Sequence, residues 1–85
     1  MEAQDELVPQ PDSKGFLDLS SRAWVNLDPV LWKMGLTLVV LDISYNHIMD
    51  IPPQIGELIL LKEFKAGFNK LVALPPEFGR LKRYE

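Results

Sequence analysis

His47 is the only histidine of the chain, and Ser20, Ser21 and Ser44 are the serines that a hydrolytic reading would have to recruit as nucleophiles. A serine becomes reactive only beside a base that a third group orients, and a lone histidine without clustered carboxylates supplies neither partner. The same histidine cannot hold a metal, because the chain has no cysteine and no grouped His, Asp or Glu at ligand spacing. Gly15, Gly35, Gly56, Gly67 and Gly79 are scattered one to a segment and form no phosphate-cradling loop. Trp24 and Trp32 lie beside apolar positions and read as core or partial cover rather than a ligand cage. The residue types therefore predict a chain that is not an enzyme, with no catalytic residue, no metal site and no cofactor.

Composition narrows the classes further. The 85 residues are 47% hydrophobic and 25% charged, which suits a small folded domain rather than a disordered one. The absence of cysteine suits a reducing compartment, and a cytoplasmic location is expected. The N-terminus carries acids where a secretory signal needs bases followed by an apolar run, and no apolar stretch approaches the roughly 20 residues of a membrane span. The formal charge is −3, with nine acids against three bases in residues 1–60 and three acids against six bases in residues 61–85. No basic run with interleaved aromatics appears, so nucleic acid is not an expected partner.

What organises the chain is a repeat. From Leu38 the sequence reads LVVLDISYNHIMDIPPQIGEL, and from Leu61 it reads LKEFKAGFNKLVALPPEFGRL, with Leu, Asn, Pro-Pro, Gly and Leu at the same offsets 23 residues apart. The apolar positions Leu38, Leu41, Ile43, Ile48, Ile51, Ile55 and Leu58 recur as Leu61, Phe64, Ala66, Leu71, Leu74, Phe78 and Leu81. A weaker copy one residue longer, KGFLDLSSRAWVNLDPVLWKMG, places Leu17, Leu19, Trp24, Leu27, Leu31 and Met34 in equivalent positions. Alternation of Leu41 and Ile43 with Val40, Asp42 and Ser44 predicts a short strand buried on one face. Asp28-Pro29 and Gly35 bracket about one helical turn, whereas Pro52-Pro53 and Pro75-Pro76 favour extended or turn geometry with at most a short helical or 3₁₀ piece, closed by Gly56 and Gly79.

The pattern L-x-x-L-x-L-x-x-N-x-L, extended by L-P-x-x-I-G-x-L, resembles the leucine-rich repeat and is similar to its 23-residue intracellular, Ras-group class. That resemblance implies an α/β fold: a short right-handed superhelical solenoid with a parallel sheet on the concave face and irregular or short helical returns on the convex face. Residues 1–13 read as a disordered acidic arm, and residues 14–85 as repeats in units of about 14–37, 38–60 and 61–83, open at the C-terminal end. Asn46 and Asn69 are expected to form a structural ladder, each carboxamide serving backbone groups that the strand leaves behind. The first unit has Arg22 at that position and Lys14 in place of the first Leu, which predicts a terminal cap or a partly ordered unit.

Register then assigns the outward columns as Phe16, Val40 and Glu63; Asp18, Asp42 and Lys65; Ser20, Ser44 and Gly67; and Ser21, Tyr45 and Phe68. Val40, Asp42, Ser44, Tyr45, Glu63, Lys65 and Phe68 are the expected protein-binding residues, with Tyr45 stacked beside Phe68 and Asp42 paired with Lys65. The function implied by the resemblance is a non-catalytic protein-protein interaction module, an intracellular scaffold or signalling adaptor. The alternatives are the N-terminal part of a larger leucine-rich repeat protein with a kinase, phosphatase or ubiquitin ligase domain, and a truncated product without stable function. An unpaired edge at Phe64, Ala66 and Leu71 would favour self-association.

Overall fold

A computed structural model describes residues 8–72, 75–76 and 83–84, the last pair by backbone alone. Strands β1 (Phe16–Asp18), β2 (Val40–Asp42), β3 (Glu63–Lys65) and β4 (Arg83–Tyr84) form one parallel sheet in chain order. Between them the chain returns through 3₁₀ helices at Pro29–Met34 and Pro53–Glu57. A parallel sheet with short helical returns is compatible with the α/β class. The helical share of the described residues is 3₁₀.

Register follows the repeat. Leu17 lies opposite Leu41 and Leu41 opposite Phe64, offsets of 24 and 23 residues. These three and the next alternate residues, Leu19, Ile43 and Ala66, turn into one core that is completed from the returns by Leu31, Met34, Ile55 and Leu58. Trp24 is buried in that core and Trp32 packs half-buried against it. Each apolar side chain so enclosed contributes about 1.5–3 kcal/mol, which is how strands of three residues can persist. Leu74, Phe78, Leu81 and Gly79, expected to continue the pattern, lie outside the described residues.

The returns are as short as their punctuation suggests. Asp28 is buried, its Oδ1 accepting the Val30 N–H at 2.9 Å, and Pro29 occupies the first helical position, where no amide donor is needed. Gly35 ends this return in an ordinary right-handed conformation, so its reason is space. A Cβ there would stand 2.5 Å from the carbonyl oxygen of Glu57 in the next return. Gly56 lies within the second 3₁₀ helix, which ends at Glu57.

Two features depart from the sequence reading, both at the edges of the sheet. Of the expected arm, residues 1–7 lie outside the described set, but Val8 packs on the core and Asp12 closes the outer edge of β1. The Gly15 carbonyl and the Leu19 amide face β2, so alternation turns the polar groups of Phe16 and Asp18 outward. Asp12 takes up both groups of Phe16. Its Oδ1 accepts the Phe16 N–H at 3.0 Å and the Lys14 N–H at 2.8 Å, while its own N–H donates to the Phe16 carbonyl at 3.0 Å. The local hydrogen bonds of an Asp-led turn make it a built edge rather than a loose arm. At the other side, β3 is not an unpaired edge: Glu63 pairs with Arg83 and Phe64 with Tyr84. That offset of 20 residues brings β4 in three positions ahead of the 23-residue period, because an exposed strand edge templates whatever strand reaches it.

Gly35→Ala is expected to destabilise the chain by about 1–3 kcal/mol through overpacking of the two returns, measurable as a lower urea midpoint. An unchanged midpoint would mean that the returns separate without cost.

Candidate partner-binding face

The outward side chains stand in the columns the register dictates: Phe16, Val40 and Glu63, then Asp18, Asp42 and Lys65. Val40, Asp42, Ser44, Glu63 and Lys65 are half-buried, and Tyr45 and Phe68 are exposed. Simple alternation would send Tyr45 inward after outward Ser44. Instead Tyr45 adopts φ +59°, and Ser21 and Phe68 adopt +57° and +60° at the equivalent positions. This left-handed step, uncommon for a bulky residue, keeps Tyr45 outside at 58% exposure and rolls Asn46 inside at 4%.

Asn46 then serves two units at once. Its Oδ1 accepts the N–H groups of Arg22 and Trp24, each at 3.0 Å, and its Nδ2 donates to the carbonyls of Leu19 and Ile43 at 2.9 Å and of Ser44 at 3.3 Å. Asn69, half-buried, does the same one unit on: Oδ1 accepts the Ile48 N–H at 3.0 Å, and Nδ2 donates to Ile43 at 2.8 Å, Ala66 at 3.2 Å and Gly67 at 3.3 Å. Arg22, which occupies the Asn position of the first unit, is exposed, and its backbone is held by the Asn of the next.

Above this layer the side chains of Tyr45 and Phe68 stack, with centroids 4.5 Å apart and planes 6° from parallel. Strand spacing enforces that distance, since equivalent residues of neighbouring parallel strands lie about 4.8 Å apart. The backbone bonds Ser21 N–H to Ser44 carbonyl and Tyr45 N–H to Gly67 carbonyl, both 3.0 Å, carry the ladder past the strands and hold the left-handed step.

Charges on the face are arranged differently from the expected Asp42–Lys65 pair. Lys65 Nζ lies 3.7 Å from Glu63 Oε2, two residues back on its own strand. Asp42 instead turns along its own backbone, its Oδ1 accepting the Ser44 N–H at 2.9 Å. Asp18 repeats the motif with Ser20, whose N–H donates at 2.9 Å and hydroxyl at 2.6 Å. These two aspartates thus close the strand ends, a role that D-x-S at both exits signals in the sequence. The Ser20 hydroxyl first, then its N–H and the charge of Arg22, hold the Asp18 carboxyl below its ordinary value. Backbone N–H groups of Phe16 and Lys14 do the same for Asp12. His47, exposed, only donates its backbone N–H to the Trp24 carbonyl at 2.7 Å among the described bonds. Among the described residues no three of His, Cys, Asp or Glu gather as metal ligands would, and no helix is long and apolar enough to cross a membrane.

No family model matches the chain, and no solved structure matches it significantly. One relative is a leucine-rich repeat and calponin homology domain-containing protein of Drosophila melanogaster, 34% identical over 59 residues. The alignment takes in 69% of this chain but 7% of that protein. The likeness gives modest support to the resemblance carried by the 23-residue period.

Asn46→Ala is expected to cost about 1–3 kcal/mol by leaving buried backbone groups without partners, and more than Asn69→Ala, whose site is half-buried. Equal urea midpoints for Asn46→Ala and the wild type would refute the role given to the carboxamide. For Asp12 and Asp18 the folded-state pKa lies below the unfolded value of about 3.9, so their contribution is full above that value and lost as pH falls through the folded values. Acid titration of Asp18→Asn should therefore show a shallower loss of stability below pH of about 4 than the wild type.

Proposed function

We propose that the chain is a short leucine-rich repeat solenoid, right-handed in its winding, whose concave sheet face binds another protein and catalyses nothing. The observation that carries this reading is the exposed Tyr45–Phe68 stack, set at the end of a regular outward column beside half-buried Val40, Asp42, Glu63 and Lys65. Aromatic side chains held rigid in solvent are what hot spots of binding consist of, and here a left-handed backbone step keeps them there. The likeness to a protein named for its leucine-rich repeats is consistent with this. Scaffold or adaptor work in the cytoplasm is the finer form of the proposal, supported by the absence of cysteine.

A second reading is that these units form part of a longer leucine-rich repeat protein with a further, catalytic domain. The length of the relative, of which the match takes in 7%, favours it. Pairing of the outer edge of β4 with another strand, from the same protein or a second copy, belongs to either reading.

The test is capture from cytosol by the wild type, by the Tyr45→Ala/Phe68→Ala double variant and by Lys62→Glu, whose exposed side chain precedes β3. After folding is verified by circular dichroism, the double variant should lose at least about tenfold of each specific partner, and Lys62→Glu should retain it. Retention by the double variant with loss in Lys62→Glu would move the binding surface off this face.

A further inference from the structure

Ser21, Tyr45 and Phe68 share one backbone conformation and one place in the repeat, yet only two of the three carry a ring. The third position leaves a ledge: Ser21 is exposed, and the face of Tyr45 that turns away from Phe68 looks over its small hydroxymethyl group. Because the neighbouring units are spaced by the sheet at about 4.8 Å, that ledge has the thickness of one planar group.

The electrostatics of the same face select which planar group. Lys65 is neutralised along its own strand by Glu63, and Arg22 acts on Asp18. Asp42, on the central strand, uses Oδ1 for the Ser44 N–H and meets no cation among the described ion pairs. We propose that the face recognises an extended, arginine-bearing segment of its partner, one guanidinium lying flat on Tyr45 over Ser21 and a basic side chain of the same segment facing Asp42. Arginine fits where lysine does not, because a guanidinium is planar, stacks on aromatic faces and sheds water more readily than an ammonium. The proposal rests on the reading of this face as a protein-binding surface and adds the chemistry of what binds.

The experiment titrates the ¹⁵N-labelled chain with three acetylated, amidated peptides of alternating sequence, (Arg-Thr)₄, (Lys-Thr)₄ and (Gln-Thr)₄. Amide shifts are followed at Ser21, Asp42, Tyr45 and Phe68. The arginine peptide should shift these amides and bind about threefold tighter than the lysine peptide, with the glutamine peptide weakest. Tyr45→Asn, which suits the left-handed step while removing the ring, should abolish the arginine-over-lysine preference. Asp42→Asn should weaken the arginine peptide by about two- to fourfold at low salt and flatten its salt dependence. Unperturbed amides around Asn46 would establish that each variant is folded. Equal binding of arginine and lysine peptides to the wild type, shifts confined to other surfaces, or no shift at millimolar peptide would each overturn the assignment. Equal binding of the glutamine peptide at the same amides would overturn it too while leaving the face as a protein-binding surface. The capture experiment fails or succeeds independently of these titrations.

Discussion

The carboxamide of Asn46 is the narrowest point through which this structure is held together, because five hydrogen bonds from two units converge on one buried side chain. A parallel strand of three residues satisfies few of its own polar groups, and the turn that follows would otherwise take several of them into an apolar interior. The cost of an unpaired buried amide or carbonyl is about 1–3 kcal/mol, comparable with a substantial fraction of what a chain of this size can muster. An asparagine has the two donors and the oxygen acceptor that this geometry requires, at a length that reaches neighbours on both sides. Apolar burial supplies most of the driving force, but this side chain decides where the strand stops.

The left-handed residue before each such position follows from that requirement. To bring residue 46 inside after residue 44 has pointed out, one residue must break the alternation, and Tyr45 does so at φ +59°. A non-glycine residue in this conformation costs about 1–2 kcal/mol, which the ladder bonds flanking it offset. The exposed aromatic stack is thus coupled to the buried amide layer: the backbone step that turns the amide in is the one that holds the ring out.

Much of this was legible in the residues. Identical offsets of Leu, Asn and Pro-Pro yielded the register, the outward columns and the ring pair, since a repeat places side chains by arithmetic once one strand is read. What was not legible depended on choices between nearly equal partners. Lys65 faces Glu63 along its strand as readily as Asp42 across the sheet, and Asp42 had a backbone amide two residues away to accept from. Asp12 lay in a segment whose prolines and acids suggested an arm, because a turn that closes a strand edge leaves no hydrophobic period. The position of β4 reflects a shortened connection, for which a sequence repeat offers no offset of its own.

The amide layer also has a direction. The inward groups of the first unit, at Leu19, Arg22 and Trp24, are served by a side chain of the second, and those at Ile43 and Ile48 of the second by a side chain of the third. Each unit therefore completes its interior only with a residue made some 20 positions later. On a ribosome, which adds about 5–20 residues per second, the nascent first unit waits on the order of a second after its last inward group for Asn46 to arrive, and then longer for that residue to clear the exit tunnel. Maturation of the chain trails its synthesis by one repeat at every step, and a pause in translation within a unit leaves the unit before it as the unfinished one.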